Sequence, residues 1–434
     1  MNQLKPLAKK IFEWQARAVL KLYKPKIIAV TGSVGKSLTK EAIYLCLSKK
    51  YFVRKSEKSF TAELGVALTI IGCPTGTGTA LDWARNLLLG FRLLLWRRSY
   101  PEYLILEIDG DKTGDLSRVS KFISPDILVM TAIGEVPSHI EAFPDMESFL
   151  FEKRSMINAV KREGVIIYNA DDSVTANLLQ DTVINKISCA LGGGADFVGT
   201  DLEILYANEK TSRVPTGMSF EIKARGEADK ITTFQSIGVQ NQYAILLAFA
   251  VASNFGMVRS QIVASLNKFT ALPARMNIIS GIKDTTIIDD SYNSSPVALS
   301  YAVSVFGDIK TKGKRVAVIG DMMELGKYSG IEHRKAAEML SKKVDFVICV
   351  GIRSRKISEE LQNFGFSESK ILSVGSSEEA GKELQRILSV GDLVLVKGSQ
   401  VMRMERVVEE VMRHPEDKRK ILVRQEEEWL SRSE

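Results

Sequence analysis

The chain has 434 residues, 45% hydrophobic and 26% charged, a length and balance that predict a soluble globular protein of two or three domains. Its net charge of +7, from 59 basic against 52 acidic side chains, suits anionic ligands but is too mild for a nucleic-acid binder, and no signature of an RNA or DNA reader is present. The four cysteines, Cys46, Cys73, Cys189 and Cys349, form no C-x-x-C pair, which argues against a disulfide framework or a zinc ribbon and fits the reducing cytosol.

Residues 3–23 carry an amphipathic helical pattern, with Leu4, Leu7, Ile11, Ala18 and Leu22 roughly on one side. Lys5, Lys9, Lys10, Arg17, Lys21, Lys24 and Lys26 flank it against the single Glu13, and Lys9, Lys10, Glu13 and Arg17 exclude a signal-peptide core. Such a helix either docks on its own domain, the ordinary outcome, or lies on an anionic membrane.

Ile27–Val30 is an apolar run that predicts a buried parallel strand. Thr31, Gly32, Ser33, Val34, Gly35 and Lys36 then form a tight turn, and Ser37 opens a helix. Strand, glycine loop, Gly-Lys-Ser and helix in that order aim backbone N–H groups and a helix N-terminus at phosphate. Lys36 is expected at the terminal phosphates and the Ser37 hydroxyl on Mg²⁺. The loop is a short form, because Val30 stands where G-x-x-x-x-G-K-[ST] has its first glycine.

Phe52-Val-Arg and Glu63–Ile71 come next, then Asn86–Arg98, whose apolar positions Leu87–Trp96 are broken by Arg92 and are too few to span a bilayer. Burial within the protein or against a partner, and contact with a membrane interface, both stay open for this segment. From Tyr103 strands alternate with helices: Leu104–Ile108, Ile127–Thr131 and Val165–Tyr168 read as buried strands, and Gln240–Phe255 as a long apolar helix. A β-rich patch at 196–234 is expected to form a small side sheet. Near residue 272 the pattern restarts, with strands at Thr286–Asp289, Arg315–Gly320, Asp345–Val350 and Leu393–Val396. The fold class is therefore α/β: a P-loop doubly wound central domain (26–272, with an apolar insert at 78–100) after a basic helix (1–25), then a Rossmann-like α/β domain with a charged tail (273–434).

Glu107 sits inside an apolar strand near its C-terminal end, where α/β sheets place ligands and where an unpaired carboxylate is costly. Glu107 and Ser37 are placed to share one Mg²⁺, and His139 to hold a second. Taken singly, Glu107 also reads as a carboxylate paired with a lysine, His139 as a surface-loop histidine and Lys153 as an ordinary solvated helix lysine.

The order of motifs resembles the Mur ligases, ATP-dependent amide-bond ligases of peptidoglycan synthesis. The resemblance rests on Thr31–Ser37, Asn169-Ala-Asp-Asp172, Asp289-Asp-Ser-Tyr-Asn-Ser-Ser-Pro296, Gly320-Asp-Met-Met-Glu-Leu-Gly326 with His333, and Lys397-Gly-Ser-Gln-Val-Met-Arg-Met-Glu-Arg406. These lie over roughly 27–410 and match best the branch that adds D-alanyl-D-alanine to a UDP-muramoyl-tripeptide. The resemblance implies two Mg²⁺ ions, held by Ser37, Glu107, His139 and a carbamylated Lys153, with Lys36, His139 and Lys153 in catalysis. It also implies Asn241 near the adenine and Arg275 and Asp290 at the phosphates and ribose, with Asn293, Lys397 and Ser399 toward the substrate. ATP and a muramoyl-peptide are the implied ligands, and the cytoplasm the implied location, with peripheral membrane contact through 3–23 and 86–98 left open; the oligomeric state is not given.

Two departures stand out. The loop begins at Thr31, so a UDP-gripping domain ahead of it is expected to be missing, and Thr61-Ala62 replaces the Asn-Asn expected before Glu63-Leu-Gly65. Two alternatives follow: a ligase of the same chemistry with a lipid-linked or γ-glutamyl acceptor, and a catalytically silent nucleotide-binding scaffold at the membrane.

Overall fold

The computed structural model describes residues 4–57, 63–73, 79–96, 98–208 and 213–431. Residue 3, Thr61, Ala62, residue 78 and Arg97, which figure in the expectations above, lie outside that set, as do 209–212 within the β-rich patch.

The first half is built on a nine-stranded sheet. Its elements in chain order are α1 (Leu4–Tyr23), β1 (Lys26–Thr31), α2 (Lys36–Leu47), β2 (Val53–Lys55), α3 (Glu63–Ile71), α4 (Ala80–Leu95), β3 (Tyr103–Glu107), α5 (Asp115–Val119), β4 (Ile127–Met130), α6 (Met146–Asn158), β5 (Val165–Asn169), α7 (Ser173–Leu178) and β6 (Asn185–Ala190). Three long strands follow, β7 (Phe197–Asn208), β8 (Arg213–Ala224) and β9 (Glu227–Phe234), then helices α8 (Val239–Asn254) and α9 (Arg259–Leu266). The order is β2-β3-β1-β4-β5-β6-β7-β8-β9, parallel through β7 and antiparallel beyond. The patch at 196–234 is thus a continuation of the main sheet, not a side sheet. Its first strand pairs with β6 only through Cys189–Phe197 and Ala190–Val198, a junction that alternation alone does not reveal.

β1, β3 and β4 are apolar through their centres because both faces are covered: every residue of β3 and β4 is buried. The chain leaves β1 toward β2 but leaves β3 toward β4, and right-handed crossovers then put α2 on one face and α3, α5 and α6 on the other. The strand order therefore reverses beside β1, and a crevice opens at its C-terminal end, where the phosphate loop sits.

The second half holds β10 (Asn277–Ser280), β11 (Thr286–Asp290), α10 (Pro296–Asp308), β12 (Arg315–Gly320), α11 (Ser329–Ser341), β13 (Phe346–Val350), α12 (Arg355–Asn363), β14 (Ile371–Val374), α13 (Ser377–Ile387), β15 (Leu393–Lys397) and α14 (Glu405–Val411). Its six-stranded sheet runs β10-β11-β15-β12-β13-β14, with only β10 antiparallel. β10 and β14 had no clear signal in the sequence, being short edge strands with half-exposed residues. The charged tail forms two single-turn helices, α15 (Lys418–Ile421) and α16 (Glu427–Leu430), folded back against the body.

α1 docks on its own domain, but on a face about a quarter turn from the expected stripe at 100° per residue. Phe12, Gln15, Ala16 and Val19 are buried, while Ile11, Ala18 and Leu22 are half-buried. The reason is the company it keeps: α3 and α4 pack on the aromatic side, with the Phe12 and Trp83 rings 5.7 Å apart. Gln15 is admitted because its amide donates to the Leu87 carbonyl at 2.9 Å. Phe12→Ala is expected to cost about 3–5 kcal/mol in urea denaturation, whereas Trp14→Ala on the exposed side stays within about 0.5 kcal/mol.

Candidate active site

The phosphate loop is shaped by two glycines. Gly35 lies at φ 89° just before α2, and Gly32 at φ 136° passes so close to β4 that a Cβ there would meet Thr131 Oγ1 at 2.0 Å. Ser33 and Val34 N–H groups are tied to the Ala132 carbonyl at 2.7 and 3.1 Å, so the loop is anchored to the neighbouring strand before any ligand arrives.

Glu107, last residue of β3, accepts a 2.7 Å hydrogen bond from the Ser37 hydroxyl. Its other oxygen lies 3.2 Å from Lys40 Nζ without hydrogen-bond geometry and is buried with no hydrogen-bond partner. The two readings of Glu107 coexist: it faces a lysine and also the loop hydroxyl. Two residues on, Asp109 stands between two ammonium groups, Lys36 at 2.6 Å and Lys153 at 3.1 Å. Burial works to raise its pKa, but Lys153 and Lys36 outweigh it and hold the carboxyl well below the usual carboxylate range.

Lys153, on α6, is 1% exposed, which removes the solvated-lysine reading. Its Nζ sits 5.1 Å from the Phe149 ring centre and 3.4 Å from the Thr31 hydroxyl. Burial lowers its pKa, with Asp109 opposing.

His139 follows β4 and takes a left-handed conformation, φ 65°. Its Nδ1 is 2.8 Å from Glu324 of the second half, and its Nε2 is 4.0 Å from Asp111. Burial opposes the charged ring, yet the Glu324 hydrogen bond and the Asp109 charge raise its pKa. Glu324 is itself at φ 62°, and its carbonyl accepts from the Glu141 N–H at 3.1 Å. Non-glycine residues at positive φ on both sides of one contact mark a junction that its surroundings over-determine.

The second half contributes the facing wall. Arg275 donates to Ser37 Oγ at 3.2 Å and lies 4.1 Å over the Tyr292 ring. Asp290, at the end of β11, pairs with Lys397 at the end of β15 (2.6 Å) and accepts from Gln240 of α8 at 3.1 Å. Lys397 also donates to the Asn293 carbonyl at 2.9 Å. Together these residues enclose a cavity of about 320 Å³ lined by Ser33–Ser37, Glu107, Asp109, Asp111, His139, Gln240, Arg275, Asp290, Asn293 and Lys397.

Thr31, Gly32 and Lys153 support this wall from behind rather than line it. Asn241 is fully buried and donates to the Ile237 carbonyl at 2.7 Å, so its neighbour Gln240 faces the cavity in its place. Ser399 lies off the cavity too: its hydroxyl accepts from the Met323 N–H at 2.8 Å and steadies the Glu324 loop. His333 does the same by accepting from the Met322 N–H at 3.0 Å while Nδ1 bonds the Ser329 carbonyl at 2.7 Å. Asp172 caps α7 and accepts from the Ile133 and Gly134 N–H groups at 2.6 and 3.1 Å, fixing the turn that leads to His139.

Asp109, Asp111 and Glu324 were missed by sequence reasoning. The alternation Glu107-Ile-Asp-Gly-Asp111 was a readable signal, since three carboxylates at every second position crowd one strand end. Glu324 lay inside a quoted motif, but its target is 185 positions earlier in the chain, as its hydrogen bond to His139 shows.

The residues fit divalent cations. Ligand atoms of Asp109, Asp111 and His139 all lie within 4.8 Å of one another, and the Glu107 carboxylate that accepts from Ser37 keeps its second oxygen without a hydrogen-bond partner. Hard oxygen donors with one imidazole suit Mg²⁺ or Mn²⁺ rather than a thiolate-seeking metal.

The Mur ligase middle domain matches residues 30–252, and the Mur ligase glutamate ligase domain matches 274–400. The chain belongs to the Mur ligase family. Among its relatives is the UDP-N-acetylmuramoyl-tripeptide–D-alanyl-D-alanine ligase of Bacillus subtilis, 27% identical over 92% of this chain and 79% of that one. Two solved structures share the fold: MurF from Acinetobacter baumannii, with a TM-score of 0.74 at 21% identity (92% of this chain, 79% of that one), and MurF from Thermotoga maritima in complex with ADP, 0.72 at 23% identity (93% and 83%).

Asp109→Asn leaves two ammonium groups buried without a counter-charge, and is expected to cost about 3–5 kcal/mol in chemical denaturation. Adding Lys153→Met should recover part of that loss, and full additivity of the two changes would refute the coupling. Asp289, wholly buried, is pushed up by burial from 3.8 to about 6. The folded state therefore keeps a proton that the unfolded chain has lost, so this group's contribution to stability falls as pH rises between about 4 and 6. Asp289→Asn should lack that component, read as a shrinking difference from wild type in urea midpoints across the window.

Proposed function

We propose that this chain is an ATP-dependent, ADP-forming amide ligase of peptidoglycan precursor synthesis, joining D-alanyl-D-alanine to a muramoyl-peptide. The observation that carries the reading is the convergence in one cavity of the phosphate loop, the Glu107–Asp109–Asp111–His139 set and, from the second sheet, Arg275, Asp290 and Lys397. The Bacillus subtilis relative's name supports the choice of amine and acceptor. In this reading a P-loop doubly wound domain (26–272) and a Rossmann-like domain (273–434) close on the nucleotide.

The acceptor carboxylate attacks the γ-phosphorus of ATP, giving an acyl phosphate and ADP. The amine then attacks the acyl carbon, and inorganic phosphate leaves from the tetrahedral intermediate. Carboxylate and triphosphate repel each other, so the site must supply positive charge where they meet. Lys36 is poised for this: its ammonium now folds back on Asp109 and on the Gly32 carbonyl at 2.9 Å, and swings to the phosphates when they enter. Arg275 holds Ser37 at the same place and is free to clamp the phosphates instead. Asp290 and Gln240, bonded to each other on the cavity wall, suit the ribose hydroxyls.

Ser37 and Glu107 would hold one Mg²⁺, and His139 with Asp109 and Asp111 a second. When bound, these ions supply charge neutralisation at the phosphates and the acyl oxygen. Lys153 is proposed to be carbamylated: burial favours the neutral amine that takes up CO₂. A carbamate there would bring a second anion beside Asp109, and a bound divalent cation would supply charge to offset the pair together with Lys36.

ADP release should depend on both partners in a panel of muramoyl-peptide acceptors, with and without UDP, offered D-alanyl-D-alanine. ADP formation indifferent to carboxylate and amine would overturn the ligase reading. Lys153→Ala should abolish turnover, with partial rescue by small carboxylates; undiminished activity would remove the carbamate.

A further inference from the structure

α4 is held rigidly along one side. Its N-terminus carries a reciprocal capping box between Thr79 and Asp82, and its body is fixed to α1 by Gln15 on the Leu87 carbonyl and by the Tyr23 hydroxyl on the Leu93 carbonyl at 2.8 Å. Gly90 lets the two helices meet, since a Cβ there would lie 2.3 Å from the Gln15 amide. The opposite face is therefore fixed outward. On it Leu81, Leu88 and Leu95, seven residues apart, are 80%, 64% and 72% exposed. Phe91 continues the stripe toward Trp14 of α1, ring centres 6.2 Å apart, and Trp96 ends it. A row of this kind exceeds the scattered single apolar residues normal on a surface.

Apart from Asp82, which closes the capping box of α4, and Glu13, which pairs with Arg17 on α1, the charges beside the stripe are basic. Arg85 and Arg92 flank the leucines on α4, Arg98 follows Trp96, and Lys10 and Lys21 are exposed on α1. Arg92, Arg98, Lys10 and Lys21 make no ion pair among the described residues. We infer that the outer face of α4, with Trp14 of α1, docks on an anionic lipid surface. Apolar side chains enter the headgroup boundary, the tryptophans sit at its level and the cations meet lipid phosphates. No helix among the described residues is long and apolar enough to cross a membrane, so the contact is peripheral. A second copy is disfavoured as occupant, because two-fold pairing of the leucine stripes would bring Arg85 and Arg92 of both chains together. None of these residues lines the interdomain cavity, so the inference is independent of the catalytic reading.

The test is co-sedimentation of the full chain with vesicles of phosphatidylcholine alone or mixed in equal parts with phosphatidylglycerol. Binding is expected to be about tenfold or more stronger on the anionic vesicles and to weaken with salt. Leu88→Glu with Leu95→Glu should abolish it, and Arg85→Glu with Arg92→Glu should weaken it by about tenfold, all with unchanged thermal unfolding because the positions are exposed. Tryptophan emission of the unaltered protein, shifting to the blue on anionic vesicles only, checks the contact without any substitution. No pelleting, equal pelleting on both vesicles, or pelleting indifferent to the leucine changes would overturn the inference. So would a dimer in sedimentation velocity that the leucine changes dissolve, which assigns the face to a second copy.

Discussion

A single buried carboxylate, Asp109, balances two buried ammonium groups, and the geometry of the cavity depends on that balance. Three charges out of water are affordable only as a set, since removing one leaves the others unpaired at a cost of several kcal/mol. The set also locates the chemistry. Lys36 belongs to the phosphate loop, Lys153 to a helix on the far face of the sheet, and Asp109 to the turn that follows β3 between them. Any anion that enters the cavity competes with Asp109 for the same two ammonium groups.

The second constraint is the meeting of the two halves. Neither sheet makes the site alone: the first supplies the loop and the acidic strand end, the second Arg275, Asp290 and Lys397. Polar contacts across the junction include Arg275 to Ser37, Gln240 to Asp290 and His139 to Glu324, beside an apolar patch where Tyr243 of α8 and Tyr301 of α10 bring their rings to 5.9 Å. The polar contacts are the ones easily exchanged for ligand contacts, while the apolar patch keeps the halves together. Two left-handed residues, His139 and Glu324, form one of these polar contacts, so backbone strain stands on both sides of that contact.

Much of this was legible in the chain. Strand runs such as Ile27–Val30 and Leu104–Ile108 announce parallel strands because both faces are buried, and the glycine loop follows where a helix N-terminus is aimed for phosphate. Glu107 was conspicuous because a carboxylate inside an apolar run demands a reason. That Asn241 and Ser399 turn away from the cavity was not legible: a residue's number fixes its helix or strand, but one step along α8 decides between facing the cavity and facing the core, as Gln240 and Asn241 show.

The sequence by itself determined the α/β class, the phosphate loop and the restart near residue 272, because each is written in local periodicity or in a short motif; it also singled out Ser37, Glu107 and His139 as candidate ligands, with Lys153 joining them only through the resemblance to the Mur ligases. Tertiary structure alone decided that 196–234 extends the main sheet, which face of α1 is buried, that Lys153 is an interior residue, and that Asp109 and Glu324 belong to the site. The physical reason is common to all four. Burial and charge pairing are set by what lies across a gap in space, and the partner sits a hundred residues or more away for Glu324 and on separate elements for the others.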